Sequence, residues 1–111
     1  MSIDYGIWHS EKRLSKEEGL SIFLQLIDGE ASTVQSHPAI DNFYAEITRL
    51  YPEDAATSPW SCPIQNGNGG VVITCTGSRL DEIEPVIKRL ATKHGLVMID
   101  SESEQIRHPD E

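Results

Sequence analysis

The sequence predicts an α+β fold: a split βαβ, ferredoxin-like layout in the order β-α-α-β-β-α-β. The expected form is a four-stranded, mainly antiparallel sheet with three helices on one face. Three observations carry this. Short apolar stretches with strand periodicity, at Ile3–Trp8, Val71–Thr76 and Leu96–Asp100, alternate with longer stretches of helical periodicity. The helical stretches open on recognisable starts, "SKEE" at Ser15–Glu18, "SHP" at Ser36–Pro38 and "SRLD" at Ser78–Asp81. The run "NGNGG" before Val71 supplies a hairpin turn, because asparagine and glycine accept positive φ at little cost. Without the additional helix in its first crossover, the order is that of a split βαβ unit. Right-handed crossovers then place the helices together and leave the opposite sheet face open to solvent or a partner.

The elements follow in order. In the first strand Ile3, Tyr5 and Ile7 alternate with Asp4, Gly6 and Trp8, so Trp8 points to the face away from the helices. Ser15 and Glu18 form a capping box, and the helix runs to Asp28, burying Leu20, Phe23, Leu24 and Ile27 until Gly29 ends it. A polar connection, Glu30–His37, leads to a second helix whose Pro38 suits a first turn, with Ile40, Phe43, Tyr44, Ile47 and Leu50 inward and Pro52 as its stop. The loop "PEDAATSP" leads to a short edge strand at Ser61–Gln65, where Pro63 is tolerable because an edge need not donate every bond. After Val71–Thr76, Ser78 and Asp81 start a third helix with Leu80, Ile83, Val86, Ile87 and Leu90 inward. His94–Gly95 ends it, glycine taking the left-handed position, and Leu96–Asp100 is the last strand. Residues 1–100 thus form one domain, and the polar segment 101–111 is expected to be a flexible tail.

Composition narrows the function classes. The chain has 111 residues, 18 acidic against 9 basic, and a net charge of −9. Such a field repels nucleic acid and anionic membrane and attracts basic partners, besides keeping a small protein in solution. Lys12–Arg13 and Lys88–Arg89 are the adjacent basic pairs, too few for a nucleic-acid stripe. No apolar run approaches the roughly 20 residues of a membrane span, and "MSIDYGIWHSEKR" has no secretory pattern, so a cytoplasmic monomer or weak homodimer is expected.

Chemical motifs are sparse. "QNGNGG" has neither the spacing nor the lysine of a phosphate loop and leads into a strand, so it reads as a turn. His9, His37, His94 and His108 are scattered singly, without zinc-like spacing to Cys62 or Cys75. Cys75 reads as core filler in an apolar strand; Cys62 reads as more exposed, with no nearby cation to activate it. The carboxylates Asp81, Glu82 and Glu84 read as a solvated helix start aligned with the dipole. No cofactor, metal or catalytic residue is assigned, and the expectation is a binder rather than an enzyme. Two other readings stand beside it: a small ligand-binding or enzymatic domain using the open sheet face, and a subunit of a larger assembly.

The candidate binding residues are aromatic and acidic. Trp60 in "SPWSCPIQNGNGG" is either a lid on the core rim or an anchor for a partner, as is Trp8. Glu53 and Asp54 share a loop with Trp60, and Asp100, Glu102 and Glu104 supply a second acidic cluster.

Three stretches, "YGIW" (Tyr5–Trp8), "LYPEDAATSPWS" (Leu50–Ser61) and "SRLDEIEPVIKRLATKHGLVMID" (Ser78–Asp100), together resemble a group of small acidic bacterial proteins. Similar proteins are often immunity proteins encoded beside polymorphic or contact-dependent toxins. The resemblance implies a toxin-neutralising binder, without catalytic residues. An acidic protein can fill the basic cleft of a toxin that acts on nucleic acid or nucleotides, and charge complementarity speeds the encounter.

Overall fold

In the computed structural model, residues 2–28, 37–54, 58–61, 63–67 and 69–109 are described. The elements are β1 (Ser2–Trp8), α1 (Lys16–Asp28), α2 (Pro38–Leu50), β2 (Gln65–Gly67), β3 (Gly70–Thr76), α3 (Leu80–Lys93), β4 (Val97–Asp100) and β5 (Ile106–Arg107). The fold is α+β, with three helices and an open sheet in the order β2-β3-β1-β4-β5. Every neighbouring pair is antiparallel. β1 is the central strand, pairing Ser2 with Thr76 on one side and Tyr5 with Asp100 on the other. The four expected strands are joined by a two-residue fifth.

Alternation along the strands sorts their side chains onto two faces, and both are buried. Ile3, Tyr5, Ile7, Val71, Ile73, Cys75 and Met98 pack with Ile40, Phe43 and Ile47 of α2 and Ile83, Ile87 and Leu90 of α3. Trp8, Val72, Val97 and Ile99 pack instead with Leu14 and with Phe23 and Leu26 of α1. The expectation of three helices on one face is therefore corrected: α1 covers the face expected to be open. The cause is a second apolar set, Trp8, Val72, Val97 and Ile99, gathered from three strands on that face, which needs a cover of its own. Two glycines make the approach close. A Cβ at Gly6 would lie 2.5 Å from Phe23 Cδ1, and one at Gly70 would lie 2.7 Å from Leu26 Cδ2. Since Gly19 meets Ile106 and the Gln65 amide donates to the Leu26 and Ile27 carbonyls, α1 crosses the sheet from β5 to β2.

Local chemistry sets the helix boundaries. The Ser15–Glu18 capping box forms, with Glu18 N donating to Ser15 Oγ at 3.2 Å and Ser15 N donating to Glu18 Oε1 at 3.0 Å. α2 begins with Pro38, and His37 Nδ1 accepts from Ala39 N at 3.1 Å. The expected Ser78–Asp81 cap is replaced. A 3-10 turn at Gly77–Arg79 leads into α3, and Arg79 pairs with Glu82 through Nε and Nη2. Gly95 takes φ 69 after α3, the left-handed ending expected there. Gly29, Ser36, Cys62 and Asn68, to which the sequence reading also gave roles, lie outside the described residues.

Two stretches depart from their expected form. The edge strand over Ser61–Gln65 is interrupted. Trp60 bridges Cys75, with Ser61 N donating to Thr74 O at 2.9 Å, and the ladder resumes only where Gln65 pairs with Val72. Pro63 has no amide proton to give in this gap. Ile64 N donates instead to Glu53 Oε1 at 2.7 Å. The segment after Ser101, expected to fray, is folded through residue 109. Ser101 N donates to Asp4 O at 3.0 Å, Asp4 N donates to Ser101 Oγ, and β5 extends the sheet beyond β4. His108 is 6% exposed, its Nε2 accepting from Leu14 N at 3.0 Å. That bond fastens the chain end to the segment entering α1.

Candidate binding surfaces

The two acidic stretches singled out from the sequence lie at one end of the sheet. β1 begins there, β3 and β4 finish there, and α3 starts there. α2 also ends there, since Trp60, bridged to Cys75 near the end of β3, donates from Nε1 to Tyr51 O at 2.9 Å. The chain leaving α2, with Glu53 and Asp54, starts from this end beside β3, the Glu53 carboxylate turning back along the edge to Ile64 N, while Asp100, Glu102 and Glu104 flank this end beyond β1. Asp81 and Glu82 open α3 between them. The cation carried by the β3–α3 connection, Arg79, is paired with Glu82 at 2.9 Å. This end is acidic.

The individual roles differ. Glu53 is a clasp: it accepts from Tyr44 Oη at 2.6 Å and from Ile64 N at 2.7 Å, holding the end of α2 to the broken edge. The Tyr44 phenol is raised above its ordinary range, first by that hydrogen bond to Glu53. Asp54 is exposed. Asp100 is half-buried, and its Oδ1 accepts from Glu102 N at 2.8 Å, shaping the turn into β5. Glu102 and Glu104 project from that turn, Glu104 at φ 58, a left-handed conformation uncommon outside glycine. Lys16 Nζ approaches Glu104 at 3.9 Å, an exposed contact of small energetic weight.

Neither tryptophan projects. Trp60 is 8% exposed, stacked edge-on against Tyr51, and closes the rim of the α2–α3 core. Trp8 does face away from α2 and α3, but α1 covers that face and leaves it 1% exposed. Its Nε1 is buried without a hydrogen-bond partner among the described residues. Both indoles are lids.

The nucleophile and metal possibilities receive little from the geometry. Cys75 is fully buried, and burial pushes its thiol up to about 12, so it behaves as a small hydrophobe. Cys62 lies outside the described residues. Among the described residues no three His, Cys, Asp or Glu side chains converge as metal ligands, the alternation Asp100, Glu102, Glu104 included. His94 is partnered by Glu46, its Nε2 lying 2.9 Å from Oε1, rather than serving α3 alone.

One feature escaped the sequence reading. A cleft of about 260 Å³ lies between α3 and the β4–β5 pair, lined by Glu84, Lys88, Met98, Asp100, Ser103 and Arg107 among others. Tyr5 Oη donates to Glu84 Oε1 at 3.1 Å. Burial, then the Glu84 carboxylate, raises the Tyr5 phenol far above its usual range and keeps it protonated as a donor. The spacing of Glu84 and Lys88 places both on one helix face, which the sequence does show. Arg107 was hidden by reading the segment after Ser101 as frayed. No helix among the described residues is long and apolar enough to cross a membrane.

Comparisons with protein-family models, with curated proteins and with solved structures found no match.

Proposed function

We propose that this protein is a bacterial immunity protein: a cytoplasmic binder, monomeric or weakly dimeric, that neutralises a basic toxin domain by covering its active site or substrate surface. The supporting observation is the grouping of Glu53–Asp54 and Asp100–Glu104 at one end of the sheet, where Arg79 is already committed to Glu82. Such a patch steers a basic partner and mainly raises the association rate. Asp54, Glu102 and Glu104 are the carboxylates that meet it first, because Glu53 and Asp100 also brace their own loops. Trp60 supports this surface from within, whereas Trp8, the last residue of β1, lies at the other end of the sheet. We read the layout as a split βαβ unit, α2 and α3 being its two helices, to which α1 and β5 are added.

The test is co-purification with the product of the adjacent gene, followed by calorimetry. Stable association and loss of the partner's toxicity are the expected results. A neighbour that neither binds nor is inhibited removes this reading.

A further inference from the structure

The end of the sheet opposite the acidic one holds two histidines in contact. His9 follows directly on β1, and His37 immediately precedes α2. Their rings stack with centroids 3.8 Å apart and planes 10° from parallel, and both residues are half-buried. His37 is also the N-cap of α2. Pro38 has no amide proton, so Ala39 is the first helical residue with one to place, and His37 Nδ1 accepts it at 3.1 Å. Helix caps are usually Ser, Thr, Asp or Asn, none of which changes charge near neutral pH. Histidine does.

This contact is conditional on charge. Nδ1 accepts from Ala39 N only while it carries no proton, so the capping ring is the neutral Nε2–H tautomer. A proton on Nδ1 turns the acceptor into a donor that faces another donor. It also sets a cation at the positive end of the α2 dipole. With His9 protonated as well, two cations lie face to face at the stacking distance. All three effects oppose the closed form, and none acts on Phe43 or Ile47, which anchor the rest of α2 in the core. The neighbouring charges among the described residues do not reverse this. Asp41 in the first turn of α2 and Glu11 after His9 are exposed, so water screens their pull on a proton. Lys12 pairs with Glu18, Arg13 contacts His108, and Lys93 and His94 at the end of α3 are turned to Glu46.

We infer that the His9–His37 stack is an acid-opened latch: protonation of His37 releases the first turn of α2 from the end of β1 while the rest of the domain stays folded. The inference is independent of the toxin-binding reading, whose surface lies at the other end of the sheet.

The experiment is an NMR titration of the full-length protein from about pH 8 to about pH 5, which brackets histidine protonation. It follows the imidazole nitrogens, the NOEs between the two rings and the Ala39 amide. At the alkaline end His37 is expected as the Nε2–H tautomer, with inter-ring NOEs present. As His37 takes up its proton, those NOEs and the hydrogen-bonded shift of the Ala39 amide should be lost together, with the β3 amides unchanged. His37→Asn keeps a capping acceptor that does not titrate, and should leave the Ala39 amide bonded over the whole range. His9→Phe keeps a stacked ring without its charge, and should raise the opening pH by about half a unit or more. The assignment is overturned by an Nδ1–H tautomer on His37, by rings still in contact after His37 is protonated, or by loss of the β3 amides at the same pH. Acid loss of the Ala39 bond in His37→Asn, or an unchanged opening pH in His9→Phe, would overturn it equally.

Discussion

The two faces of the sheet are covered unequally. Two helices, α2 and α3, close one face over a core running from Ile3 to Met98, with Phe43 fully buried at its centre. One helix, α1, closes the other, and it does so by lying against Gly6 and Gly70. The thinner cover leaves Leu24 59% and Ile27 38% exposed on α1. The difference shows that side-chain alternation assigns a residue to a face without saying whether that face is open. An apolar second set, here Trp8, Val72, Val97 and Ile99, implies a second layer.

Truncating the aromatic at the centre of each face separates them most strongly. Phe43→Ala should cost about 5 kcal/mol and Phe23→Ala about 3 kcal/mol, both within the range for large-to-small core changes. Chemical denaturation measures both. Hydrogen exchange should show Phe43→Ala lowering protection throughout, while Phe23→Ala opens α1 first. Equal losses with equal spread would erase the distinction.

The tryptophans give a finer contrast, one in each core. Trp60→Phe removes the donor to the Tyr51 carbonyl and should cost about 1–2 kcal/mol through that lost bond. Trp8→Phe removes an indole N–H that has no partner among the described residues, which offsets part of the lost packing. Its cost should be smaller by about 1 kcal/mol in the same denaturation series. The opposite order would mean that Trp8 Nε1 is satisfied in solution.

The smallest expected effect is electrostatic and belongs to the two-helix face. Glu46 on α2 accepts from Lys93 Nζ and lies 2.9 Å from His94 Nε2, tying the middle of α2 to the end of α3. Lys93 first, then His94, holds the Glu46 carboxyl below its ordinary range. A carboxyl depressed in the folded state stabilises it above the unfolded pKa and loses that contribution as pH falls through the folded one. Glu46→Gln should therefore lower Tm at neutral pH, with the gap to the parent closing on acidification. A gap that is constant with pH would assign the loss to packing.

Much of this was legible in the sequence. The capping box at Ser15–Glu18, Pro38 opening α2, the strand at Val71–Thr76 and the glycine stop at Gly95 are local chemistry, and each formed. What was missed is long-range. β5 forms because Ser101 meets Asp4 and His108 meets Leu14, contacts between opposite ends of the chain that no local window contains. The break at Pro63 was marked by the proline itself, but its repair by Glu53 depends on the end of α2 returning to that edge. Both acidic stretches were found as composition. Their common end of the sheet, and the cleft that Asp100 shares with Glu84, follow from topology.

The central claim is that the acidic end, rather than net charge, recruits the partner. The most direct measurement is the association rate with the purified partner as a function of salt, for two variants of equal charge change. Asp54→Lys with Glu102→Lys alters the acidic end, whereas Glu11→Lys with Asp41→Lys alters the opposite end, where β1 finishes and α2 starts. The account predicts that the first pair slows association by about tenfold or more at low salt and flattens its salt dependence, while the second changes it little. Equal slowing by both pairs, or none by the first, would contradict it.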